Sequence, residues 1–205
     1  MVKVLLAIPT AGGIHENVAA IAAHLVSHKN VTLLVARGRP ADYTRNGIIQ
    51  QFLKLPELTH LFFLDSDTEP PVDCLDKLLA LDVPVATGCY PVLMQTGLRW
   101  ALANKDNDGH YRLLKQFEDD KPFEVDAGGA GCLLLRRDIF NFVNYPWFQW
   151  VNNEDGSQVG EDIYFFQKCN MAGFRVMVEP TVICDHHKEI NITNLMRIKQ
   201  NRKGQ

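Results

Sequence analysis

Short apolar runs and helix-spaced segments alternate with few interruptions through the first half of the chain. "VKVLLAIP" and "VTLLVARG" are β-branched and bounded by turn residues, as buried strands are, and between them "HENVAAIAAHLVSH" carries apolar residues at helical spacing. "ADYTRNGIIQQFLKLP" predicts a second helix, "THLFFLD" a third strand, "PPVDCLDKLLAL" a third helix and "VPVATGCYP" a fourth strand. Alternation of this kind predicts an α/β fold with a mostly parallel, Rossmann-like sheet flanked by helices.

The pattern changes beyond Tyr90. "RWALANKDNDGHYRLLKQFEDDKPFEVD" sets the polar turn "NKDNDGH" between two extended runs, which predicts a hairpin rather than a crossover. "AGCLLLRRDIFNFV" reads as a strand running into a helix, "GEDIYFFQKCNMAG" as an amphipathic helix stopped by Gly173, and "RVMVEPTVICDHH" as a last extended stretch. At 205 residues, with no repeat or linker, the chain predicts one domain over 1–190, mixed in its second half from about residue 96, and a basic tail over 191–205.

Broad electrostatics names no partner. A formal charge of -3 is too small to steer nucleic acid, so none is expected. The five cysteines are scattered, odd in number and never paired as CxxC, which points away from a zinc site or disulfide framework and towards a reducing compartment. The first apolar run ends at Pro9, too short for a membrane span. A cytoplasmic protein without a transmembrane segment is the expectation.

Within this frame "HLFFLDSDTEPP" stands out, because a greasy strand ends in two carboxylates, Asp65 and Asp67. Ligands of open parallel sheets gather at the carboxyl ends of strands. Two neighbouring carboxylates repel unless a positive charge lies near them, and hard oxygen ligands suit Mg²⁺ or Mn²⁺. The competing reading makes Asp67 or Thr68 the cap of a helix opened by Pro70 and Pro71, and it accounts for only one aspartate.

Three further clusters bear on chemistry. "DAGGAGCLLL" packs Gly128, Gly129 and Gly131 before a strand, where small residues permit positive φ or close approach of a ligand; a plain tight turn is the alternative. "SQVGEDIYFF" opens a helix with Glu161 and Asp162, either as partners of the helix dipole or as a general base at the mouth of a cleft. "VICDHHKE" puts His186 and His187 at the end of the last strand, where an imidazole can bind metal; only one can point to a given face, and His187 is favoured.

Taken in order, "DSD", "GGAG", "GED" and "DHH" resemble the nucleotide-sugar glycosyltransferases of the GT-A fold, in particular small bacterial and phage members with a DxD motif. The resemblance implies a transferase of hexosyl type that moves a sugar from a nucleoside-diphosphate sugar to a hydroxyl acceptor, with Mn²⁺ or Mg²⁺; an acidic base favours inversion over retention, and the distances between groups decide between them. It implies a nucleotide-binding half over about 1–95 and an acceptor-binding half over about 96–190. Carried over, Asp65, Asp67 and His187 or His186 hold the metal. Pro9, Thr10, Arg45 and the Asp65, Ser66, Asp67 segment border the donor. Asp162 is the base with Glu161 beside it, and Gly129, Ala130, Trp147 and Trp150 meet the acceptor. Two alternatives use the same pocket: a sugar nucleotidyltransferase, whose basic glycine loop "IPTAGG" lacks, and a non-catalytic nucleotide-sugar or carbohydrate-binding protein.

Overall fold

Strand β1 (Val4–Thr10) is buried along almost its whole length, as a strand covered on both faces must be. In the computed structural model, which describes residues 1–27, 30–94, 97–117, 121–153, 156 and 158–189, β1 lies between β2 (Val31–Arg37) and β3 (His60–Leu64) and runs parallel to both. Its side chains alternate with period two. Leu5 and Ala7 pack with Ile48, Ile49 and Phe52 of helix α2 (Ala41–Leu53). Val4, Leu6 and Ile8 pack with Val18, Ala22 and Leu25 of α1 (Glu16–Val26) and with Leu75 and Leu78 of α3 (Cys74–Ala80). One strand therefore feeds two cores, because its pleat sends successive side chains to opposite faces.

The same sheet continues through β4 (Val85–Cys89), β5 (Phe123–Val125), β6 (Cys132–Arg136) and β7 (Val176–Ile183) in the order β5-β7-β4-β6-β3-β1-β2. Strand β6 is antiparallel to both β3 and β4, and β5 is antiparallel to β7; the other neighbours are parallel. The sheet is thus mostly parallel, with β6 joining its two halves. Helix α4 (Glu161–Met171) buries Phe165, Phe166 and Cys169 on the α2 side and is stopped by Gly173 at φ +84°.

The predicted hairpin is present: Leu102–Lys105 pairs with Tyr111–Leu113 around the polar turn. The helix expected after β6 is a 3-10 turn, Arg137–Asn141. Five residues are too few to nucleate a stable α-helix, and Arg137 is turned back to donate to the carbonyls of Phe52, Leu55 and Leu58, closing the end of α2. Among the described residues no helix is long and apolar enough to cross a membrane. The tail expected over 191–205 lies outside the described residues.

Candidate active site

The carboxyl ends of β1, β3 and β4 converge on one cleft, and β3 delivers Asp65 to its floor. The Asp65 amide donates to Gly131 O at 2.9 Å, so the strand end is fixed before its side chain is placed. Helix α2 then brings up Arg45, whose Nη2 donates to both carboxylate oxygens of Asp65 at 2.8 and 3.1 Å. Arg45 is 4% exposed and flanked by the rings of Phe63 and Phe148. Its Nε lies 4.0 Å from Asp162 Oδ1, and neither atom has a hydrogen-bond partner among the described residues. Burial works against the guanidinium charge, but Asp65 and Asp162 outweigh it and hold the proton firmly. Arg45 is therefore buried, and it joins two carboxylates where it lines the cleft.

Asp67 is no helix cap. Thr68–Glu69 forms a short strand antiparallel to Asp185–His186, and α3 begins only at Cys74. That pairing sets His186 Nε2 3.7 Å from Asp67 Oδ2, while His186 Nδ1 meets Pro91 O at 2.8 Å. A carbonyl can only accept, so Nδ1 carries a proton and Nε2 is the ring nitrogen that faces Asp67. Lys188 also donates to Asp67. Burial pushes the Asp67 carboxyl up, yet the neighbouring His186 and the Lys188 ammonium prevail and bring it down to about 2.

His187 turns to a different carboxylate, Glu69. Its amide donates to Asp67 O at 2.8 Å, its Nε2 bonds Glu69 at 2.7 Å, and its ring stacks on His15 at 3.6 Å. His15, Glu69 and His187 bring potential ligand atoms within 4.8 Å of one another. The two rings are nearly parallel, 7° apart, so their in-plane lone pairs do not converge on one point.

The glycine loop works by close packing. None of Gly128, Gly129 and Gly131 has positive φ. A Cβ on Gly129 would lie 1.9 Å from the Tyr90 hydroxyl, and that hydroxyl accepts from the Gly131 amide at 3.2 Å. The small residues thus admit Tyr90, the ring at the end of β4, against the backbone. Ala130 lies in the same loop, fully buried, and donates its amide to Asp162 Oδ2 at 3.2 Å.

Pro9 and Thr10 end β1 on the opposite wall. The Thr10 hydroxyl is spent on its own loop, accepting from Gly12 N at 3.1 Å and donating to Gly13 O at 2.8 Å. Ser66 O receives the His15 amide at 2.8 Å, which ties that loop to the DSD segment. The resulting cleft, about 360 Å³, is lined by Pro9, Thr10, Arg45, the DSD residues, His186, Lys188 and Glu161. A second cleft of about 400 Å³ opens beside it, and Tyr90, Val92 and Glu161 line both. Asp162, Gly129 and Trp150 line the second only. Glu161 is pushed up to about 7, first by burial and then by Asp162, whereas Arg45 pulls it down. Burial likewise raises Asp162, against the pull of Arg45.

No protein-family model matches the sequence, and no curated protein is similar to it in sequence. Solved structures are similar in fold. The crystal structure of A197 from STIV matches with a TM-score of 0.61 at 20% identity, over 91% of this chain and 86% of that one. The crystal structure of GalNAc-T7 with UDP, GalNAc and Mn²⁺ matches with a TM-score of 0.59 at 13% identity. The fold is GT-A-like. This chain spans 44% of the length of GalNAc-T7 and has 93% of its own length covered. At these identities the likeness is one of fold.

Within the GT-A-like frame, the residues picked from sequence divide into two groups. Asp65, Asp67, His186, Arg45, Glu161 and Asp162 come together around one cleft or directly beneath it. Trp147 does not: it is 6% exposed and its indole N–H donates to Val143 O at 2.7 Å, so it packs in the core rather than offering a face to an acceptor. Trp150, 50% exposed, does face the second cleft. Tyr90 and Lys188 were missed. An aromatic ring directly after a buried strand and a lysine next to "DHH" are the signals that could have found them.

Asp67 Oδ2 and His186 Nε2, 3.7 Å apart, are too far for a good hydrogen bond. An ion with bonds of about 2.1 Å would touch both atoms at this spacing only at an angle wider than the right angle between adjacent octahedral ligands.

Proposed function

We propose that the protein is a metal-dependent glycosyltransferase that moves a sugar from a nucleoside-diphosphate sugar to a hydroxyl acceptor in the cytoplasm. One observation carries this reading: Asp67 and His186 face each other in one cleft, and that cleft shares Glu161 with a second, open cleft beside it. A donor in the first and an acceptor in the second would meet at a carboxylate. The Mn²⁺ and UDP bound to GalNAc-T7 support the same reading of the fold, and the five buried, unpaired cysteines suit a reducing compartment.

Asp67 and His186 are the residues to hold Mn²⁺ or Mg²⁺, which when bound neutralises charge gathering on the departing diphosphate. Lys188, on the same carboxylate, offers that charge an ammonium group. Pro9 and Thr10 border the nucleoside. Glu161 takes the acceptor's hydroxyl proton as the oxygen bonds the anomeric carbon, while the bond to the diphosphate oxygen breaks and its electron pair leaves with the nucleoside diphosphate. Direct displacement of this kind inverts the anomeric centre. Glu161 suits the task better than Asp162, because Asp162 already receives the Ala130 amide and faces Arg45, whereas Glu161 is raised towards the pH at which a general base works best. Asp162 is then a positioning residue.

Thermal melts with nucleoside diphosphates, in Mn²⁺, Mg²⁺ or chelator, test the donor site. A metal-dependent rise for one nucleotide is expected, lost in Asp67→Asn and His186→Ala and kept in His187→Ala. No rise with any nucleotide removes the reading.

A further inference from the structure

The second cleft is built for an acceptor of a particular kind. Its walls come from the ribbon that pairs Pro91–Met94 with Gly97–Trp100, from the hairpin, from the glycine loop and from the start of α4. Val92, Met94, Leu113, Trp150 and Ile163 are its large side chains, and Ala101, Ala103 and Ala127 fill the spaces between them. The polar side-chain groups among its lining come from Tyr90, Glu161, Asp162 and the Trp150 indole. Two of these are already engaged, the Tyr90 hydroxyl by the Gly131 amide and an Asp162 oxygen by the Ala130 amide. Asp162 Oδ1 has no hydrogen-bond partner but lies 4.0 Å from Arg45 Nε, so among the described residues of this cleft Glu161 is the carboxylate without an ion pair and the one better placed to receive a ligand's hydroxyl.

A glycan chain carries a hydroxyl on almost every ring carbon, and each one buried against Met94 or Leu113 without a partner is disfavoured. One hydroxyl on an aliphatic or aromatic body meets no such penalty. We infer that the acceptor is amphipathic, with a single hydroxyl presented to Glu161 and an apolar body lying along Val92, Met94, Leu113 and Trp150. The inference rests on the transferase reading for what happens to that hydroxyl, but binding of the apolar body can be read separately.

The test titrates the full chain with methyl, butyl, hexyl and octyl β-glucosides below their micelle concentrations, with and without Mn²⁺ and nucleoside diphosphate, and with maltotriose as the glycan arm. Affinity is expected to rise about fourfold for each buried methylene until the cleft is filled. Met94→Ser and Leu113→Ser are expected to flatten that rise; Met94 is 46% exposed, so its replacement does not threaten folding. Equal affinity along the series, tighter binding of maltotriose than of hexyl glucoside, or a rise that survives both serine variants overturns the inference. A rise without any nucleotide-dependent stabilisation keeps the apolar cleft and removes the transferase reading. Nucleotide-dependent stabilisation without a rise does the reverse.

Discussion

Glu161 and Arg45 show how little a residue's type says about its task. Arg45 sits on a helix whose sequence is only mildly amphipathic, yet it is buried and bridges Asp65 and Asp162, because a guanidinium is the side chain able to bring a delocalised charge and a planar fork to two carboxylates under aromatic rings. Glu161 is the reverse case, a carboxyl raised from 4.5 to about 7 by burial and by Asp162. A carboxyl whose folded value is raised contributes stability that is fully present below 4.5 and lost as pH rises through about 7. Glu161→Gln is expected to abolish that loss, so its melting temperature should hold steady across the window in which the parent's falls. In the parent, transfer should rise with pH to a plateau above about 7, and in the variant transfer should be lost while nucleotide binding is kept. Equal pH profiles for the two proteins would sink the assignment. The DSD carboxylates were readable in advance because an apolar strand that ends in charge must end at a surface. The choice between His186 and His187 was not, since alternation says only that one of them faces the site, and the pairing of His186 with Thr68 decides which.

Between neighbouring segments, Asn46 ties α2 to the loop that carries Trp147 and Phe148. From α2 its Nδ2 donates to Phe148 O at 2.7 Å, and its Oδ1 accepts from the amides of Trp147 and Phe148 at 3.0 and 3.1 Å. This clamp holds the loop that turns Trp147 inward and leaves Trp150 at the cleft. Asn46→Ala strands three buried backbone groups and is expected to destabilise the protein by about 2–3 kcal/mol, measured by urea unfolding, with a weaker effect on nucleotide binding than on acceptor binding. Strands and helices of the first half were legible because each carries its own period. The clamp was not: Asn46 and Phe148 are 102 residues apart, and an asparagine on a helix face gives no local sign of what it will meet. The shortened turn after β6 was misread for a related reason, since the residue that ends α2 lies 85 positions from one of the carbonyls it caps.

The complete chain gathers both clefts at one edge of a seven-stranded sheet, where parallel strands end and the antiparallel β6 separates them. Residues that line the first cleft come from β1, α2, the loop after β3, α4 and the segment after β7, so a ligand that binds there in the native state would hold most of the chain together. A nucleoside diphosphate at a hundred times its dissociation constant, with Mn²⁺, is expected to add about 2.7 kcal/mol to the unfolding free energy. The addition should appear equally by fluorescence and circular dichroism; a rise seen by one probe alone would mean that the site folds separately from the sheet. Periodicity and turn residues, which act over a few positions, made the α/β architecture, the hairpin, the helix stop at Gly173 and the acidic strand end evident from the letters. Which histidine turns to Asp67, why the glycines are small, where Arg45 spends its charge and which tryptophan stays outside depend on atoms brought together from distant parts of the chain. Such contacts follow from strand register and side-chain packing, and those are fixed only when the whole sheet has closed over its two cores.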